Sequence, residues 1–194
     1  MKKLSKTAKI ADVLLFVYLA CICLIAVFGT VVLFMADGSS PQSVSFGNAT
    51  FALASGCVMD IAAFRAITLS TNIVNIVKNG ISVMIIHRIL ETFKNENPFD
   101  PSNAKRLKDL GYVFLVGGAV KTVLGVISQH AVYSGIRFGE LLEGGNIIDC
   151  SVKYNIELTF LLWVCLAFVL SCIFEHGALT KKKADEIQCN DTSL

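Results

Sequence analysis

The residues with types suited to chemistry are three histidines, seven cysteines and two lysines set inside apolar stretches. His87, His130 and His176 stand singly, without the H-E-x-x-H spacing that puts two imidazoles on one helical face around a zinc ion. No C-x-x-C pair occurs, which leaves a thiol oxidoreductase or a structural zinc site without support. The chain also lacks a G-x-S-x-G elbow, a P-loop and a dinucleotide fingerprint. No catalytic residue, metal ligand or cofactor is therefore assigned, and a non-enzymatic protein is expected.

A second group of polar residues is more informative because of where it falls. Thr68, Asn72, Asn75, Asn79 and Ser82 recur at i, i+4, i+7, i+11 and i+14, which places them along one face of a helix. Lys78 adjoins this stripe, and Lys121 lies near the middle of the next apolar stretch, close to Gly117, Gly118 and Gly125. Amide and charged side chains are expensive in lipid, so they should face a bundle interior or a wet cavity. One reading is a polar intramembrane cavity lined by Asn72, Asn75, Lys78, Asn79 and Lys121, taking an anionic ligand or an ion. That would suit a small transport, export or self-immunity protein. The other reading is helix–helix glue, with each lysine satisfied by carbonyls, by snorkelling, or by a carboxylate such as Asp60 or Glu157. No matching row of acids is present, which argues against a proton-coupled pump.

The elements that must position these residues follow from composition. Apolar residues make up 54% of the 194 and charged residues only 16%, the mean hydropathy is +0.65, and soluble domains have about 25% charged residues. A bilayer core of roughly 30 Å needs about 20 apolar residues per helix. Four stretches qualify, at about 10 to 35, 64 to 90, 109 to 130 and 156 to 174. The expected fold is an all-α integral membrane protein: one four-helix domain, with residues 175 to 194 as a tail. The first stretch follows four lysines but is too long for a signal-peptide core of roughly 7–15 residues, so it reads as an uncleaved anchor.

Cations set the expected orientation, because loops rich in Lys and Arg stay cytoplasmic. Twelve of the seventeen basic residues lie before the first span, around the middle break or after the last span. Both termini and the middle loop are expected on the cytoplasmic side. The two outer connections, about 36 to 63 and 131 to 155, alternate apolar and polar residues in places, which suggests a small extracytoplasmic β element. Cys57 and Cys150 both map to that side, where they form a disulfide or remain two thiols.

The middle break, "NENPFDPSNAKRLKDLG", is the most polar internal stretch. Pro98 and Pro101 are expected to end the second span, and Ser102 or Asn103 to cap the third helix. It is either a turn with anchoring cations or a docking loop for a cytoplasmic or lipid partner. Direct nucleic-acid binding is not expected, since the net charge is only +2 and the cations fall where topology places them. A homo-oligomer is open, with no G-x-x-x-G motif in the spans to mark its interface.

Two segments, "NPFDPSNAKRLKDLGYVFLV" and "FVLSCIFEHGALTKKKADEI", resemble the signature segments of a bacterial family of small four-helix membrane proteins of uncharacterised function. The residues carrying the resemblance are Pro98, Phe99, Asn103, Arg106 and Leu107 in the loop, and Phe174, Gly177 and Leu179 in the last helix. Members are often encoded beside a small Xre-type helix-turn-helix regulator. The resemblance implies a sensor or tether that holds such a regulator at the cytoplasmic face, with Pro98, Phe99, Asn103, Arg106, Leu107, Phe174 and Gly177 as its partner-binding residues. The asparagine-rich second span, with Lys78, departs from the family's pattern.

Overall fold

The structure, a computed structural model, describes residues 2 to 35, 43 to 46, 49 to 52, 61 to 95, 97 to 134 and 156 to 191. Among these residues four helices account for almost everything: α1 (Lys2–Met35), α2 (Ile61–Lys94), α3 (Pro101–Ser134) and α4 (Phe160–Asp191). Each has 32 or 34 residues, a length of about 48–51 Å at 1.5 Å per residue. That exceeds the roughly 30 Å of a hydrocarbon core. Each contains a stretch long and apolar enough to cross a membrane: Lys6–Val32, Arg65–Lys94, Pro101–His130 and Phe160–Gln188. By length and composition this is a multi-pass membrane protein.

The side chains of α1 show why lipid is its solvent. Leu24, Ile25 and Phe28 point outward and are about 70% exposed, and no polar stripe breaks the helix between Val13 and Met35. A helix apolar all round has no face to offer water.

Between α1 and α2, β1 (Ser43–Phe46) and β2 (Ala49–Ala52) pair antiparallel, with Val44 opposite Phe51 and Phe46 opposite Ala49. This hairpin belongs wholly to the first of the two connections. Residues 135 to 155 of the second connection, with Cys150, lie outside the described residues, as does Cys57.

The chain divides into two compact units; α1, α2 and α3 each contribute to both, and α4 belongs wholly to one. One comprises residues 1 to 23, 75 to 119 and 158 to 194. In it Ala104, Leu107 and Leu110 are buried on α3, and Val164, Ala167 and Ser171 on α4. The Ser171 hydroxyl donates to the Ala104 carbonyl at 2.7 Å, and Tyr112 meets Phe168 edge to face. Gly118 lies against the Phe160 ring so closely that a Cβ there would overlap it. The other unit comprises residues 24 to 74 and 120 to 157; in it the Asn72 amide donates to the Thr30 hydroxyl at 3.4 Å, and Arg65 lies over the Phe34 ring.

The helix boundaries at the middle break differ from those expected. Helix α2 ends at Lys94, well before Pro98, and closes through bonds from Asn95 N–H to the Glu91 carbonyl and from Asn97 N–H to the Thr92 carbonyl. Helix α3 begins at Pro101 rather than after Ser102 or Asn103. Proline fits the first helical position because its fixed φ suits a helix and its missing N–H is not needed there. The cap is then the residue before it: Asp100 Oδ1 accepts the Ser102 N–H at 2.9 Å. Helix α4 continues through the tail as far as Asp191.

Candidate functional site

The site is built around the break between α2 and α3, and its centre is Asn103. This side chain is completely buried, and a buried amide needs partners for both its donors and its acceptor. Its Nδ2 donates to the Thr92 hydroxyl at 2.6 Å and to the Pro98 carbonyl at 3.0 Å, while its Oδ1 accepts from Arg106 at 3.1 Å. Arg106 also donates to the Arg88 carbonyl at 2.9 Å. One side chain on α3 thus holds the last turn of α2, the proline turn and its own first turns together. Leu107 is buried one helical turn further on.

Asp100 adds the electrostatics. Hydrogen bonds from the hydroxyl and backbone N–H of Ser102, with the positive charges of Arg106 and Lys181, hold its carboxyl below the usual range. Asn97 donates to the other carboxylate oxygen at 3.3 Å.

The tail helix closes on this turn. The Phe174 ring has the rings of Phe93 and Phe99 as neighbours, with centroids 6.1 and 5.9 Å away. Phe99 lies directly over Gly177, where a Cβ would come within 2.5 Å of the Phe99 Cδ1. Lys181 Nζ donates to Asn97 Oδ1 at 2.9 Å. The two segments that carry the family resemblance are therefore in mutual contact, through Phe99, Phe174 and Gly177. Of these residues Phe99 keeps substantial exposure, whereas Asn103 and Leu107 face inward.

Beside the turn, a groove of about 640 Å³ opens between the start of α3 and the later turns of α4. Lys105 and Lys108 line it from α3, and Lys181 and Lys182 from α4. Glu175 is the one acid in its lining, and Phe99, Pro101 and Leu179 supply apolar wall.

A further cluster ties α1 to α2. Asp12 Oδ1 is 2.6 Å from His87 Nδ1, and Lys94 Nζ donates to Asp12 Oδ2 at 2.5 Å. His87 also lies 3.6 Å from Glu91 and packs edge-on against the Phe16 ring. The sequence reading passed over this cluster. Its signal was a lone acid at the start of an apolar span together with His87 and Lys94 at i and i+7, which share a helical face.

The polar residues of the spans fall in different places. Lys121 pairs with Glu157 at 3.0 Å, and Thr122 donates to the Glu157 carbonyl. Asn72 bridges to Thr30. Lys78 lays its aliphatic stem against Gly117, where a Cβ would come within 2.6 Å of Cγ. Asn75 and Asn79 are half-buried on α2. Asn72 and Lys121 belong to one compact unit, and Asn75, Lys78 and Asn79 to the other. Among the described residues no cluster of three or more His, Cys, Asp or Glu side chains has the arrangement of a metal site.

No family model, no curated protein and no solved structure matches the chain.

Proposed function

We propose that this chain is a non-enzymatic multi-pass protein of a bacterial cytoplasmic membrane that tethers a small cytoplasmic helix-turn-helix regulator. In this reading both termini, the 95 to 103 turn and the end of α4 lie in the cytoplasm, and the hairpin lies outside. The cation distribution supports that orientation.

The observation that carries the proposal is the lock between turn and tail. Phe99 on Gly177, and Lys181 on Asn97, join two polar segments distant in sequence into one platform. Beyond it α4 continues as a helix that exposes Ile187 among charged residues, a surface suited to packing against another helix. A displacement of α4 would move turn and tail together, which is how a stimulus could release a bound regulator. The contacts of Asn72 with Thr30 and of Lys121 with Glu157 account for these polar residues as packing, so the transport alternative gains no support from them.

The test is an affinity pull-down of the tagged chain from its native membranes in mild detergent, followed by mass spectrometry. A small helix-turn-helix protein is expected, lost on Ile187→Asp with unchanged membrane insertion. Recovery of the chain alone would remove the tether from consideration.

A further inference from the structure

The positive-inside rule explains why lysines gather on one side of a membrane, but not why four of them from two helices should line one groove. Lys105 and Lys108 are three residues apart on α3 and share a face, whereas Arg106 between them turns away to Arg88 and Asn103. The helix thus sorts its cations: one into the turn, two into the groove. Facing them are Lys181, which donates to Asn97, and Lys182, which stands 3.9 Å from Glu186. Lys105 and Lys108 form no ion pair among the described residues. Glu175 is the one acid in the groove lining; Glu186 stands beside Lys182 and the Asp100 carboxylate near Lys181, so Lys105 and Lys108 keep the least counter-charge, and like charges held together without enough of it repel.

Depth and shape say what the counter-charge is. The candidate span of α3, Pro101–His130, is 30 residues long, about 45 Å, against a hydrocarbon core only about 30 Å thick, and its charged and polar residues gather at the Pro101 end. The first turns of α3, with Lys105 and Lys108, therefore stand at headgroup level. The groove walls include Phe99, Pro101 and Leu179, apolar surface of the kind that packs against a glycerol backbone and the tops of acyl chains. Basic pockets between membrane helices are recognition sites for phosphorylated headgroups.

We propose that this groove binds the phosphate headgroup of an anionic phospholipid from the surrounding leaflet, with Lys105, Lys108, Lys181 and Lys182 as its cationic ligands. The site needs only the membrane location of the chain and is independent of any regulator.

The experiment uses the full chain purified in a neutral detergent, with thermal unfolding followed as phosphatidylglycerol is added. Phosphatidylcholine with the same acyl chains and free glycerol 3-phosphate serve as comparisons. A saturable rise in Tm with phosphatidylglycerol alone is expected, with one lipid retained per chain in native mass spectrometry. Lys105→Gln with Lys108→Gln, and separately Lys181→Gln with Lys182→Gln, should each weaken the lipid's effect by about thirtyfold. Lys6→Gln with Lys9→Gln, on α1 outside the groove, should leave it unchanged. Using one pair on each helix guards against a folding defect in either variant. An equal response to phosphatidylcholine, or groove variants that bind as the wild type does, would overturn the proposal. So would full stabilisation by glycerol 3-phosphate, which would make this a soluble-phosphate site. Retention of an acidic protein by the same lysines, with no lipid, would do the same. An empty regulator pull-down leaves all of these readings intact.

Discussion

Asn103 shows what a single buried amide costs and holds. Replacing it with leucine removes three hydrogen bonds and leaves the Thr92 hydroxyl and the Pro98 carbonyl without that partner in a part-buried turn. Each orphaned group costs about 1–3 kcal/mol, so Asn103→Leu should lower stability by about 2–4 kcal/mol, measured by unfolding in detergent. A variant as stable as the wild type would mean that the turn is held by something else. Asp100 makes a pH-dependent contribution whose sign follows from its partners. Ser102 and the nearby cations favour the charged carboxylate, so its folded pKa lies below the ordinary value of 3.8. Its stabilisation is complete above that value and is lost as pH falls through the lower folded one. The stability gap between the wild type and Asp100→Asn should therefore be constant near neutrality and close only in acid, below about pH 4. A gap that changed between pH 7 and 5 would assign it to another group.

At the scale of elements, Gly177 sets two opposing effects against each other. Alanine is favoured over glycine inside a helix by about 1 kcal/mol, yet a Cβ at Gly177 meets the Phe99 ring at 2.5 Å. Gly177→Ala should therefore be neutral or destabilising in the wild type and stabilising by about 1 kcal/mol when Phe99 is alanine. The reversal of sign is the measurement; additive effects would mean that turn and tail are not in contact. This contact was hidden in the sequence although both of its residues were singled out there, because it depends on the register of α3 against α4. The four helices were legible, since their long apolar runs allow little else. The cap was misplaced for a local reason: Asp100 precedes Pro101, and the preference of proline for a first helical turn outweighs the appeal of Ser102 and Asn103. Asp12, His87 and Lys94 went unjoined because spacing along one helix says nothing about which neighbour turns a carboxylate towards it.

At the scale of the whole molecule, charge and hydropathy divide the labour. The apolar surface of four long helices makes lipid the solvent, while twelve of seventeen basic residues gather in the three segments expected on one side. A misoriented chain would have to carry those cations across the bilayer, which is why their distribution sets the expected orientation. Single cysteines placed in a cysteine-free background make this measurable with a membrane-impermeant maleimide. Asn97→Cys and Ala184→Cys should label only after the membrane is broken, and Ser45→Cys and Ser151→Cys in intact cells. The opposite pattern would invert the molecule and place the lysine groove outside, away from any cytoplasmic regulator. The native thiols add a second readout on the same principle. With the other five cysteines replaced, Cys57 and Cys150 should label in intact cells if they are free thiols, and only after reduction if they are paired. Labelling only after lysis would put both outer connections on the cytoplasmic side and so invert the molecule.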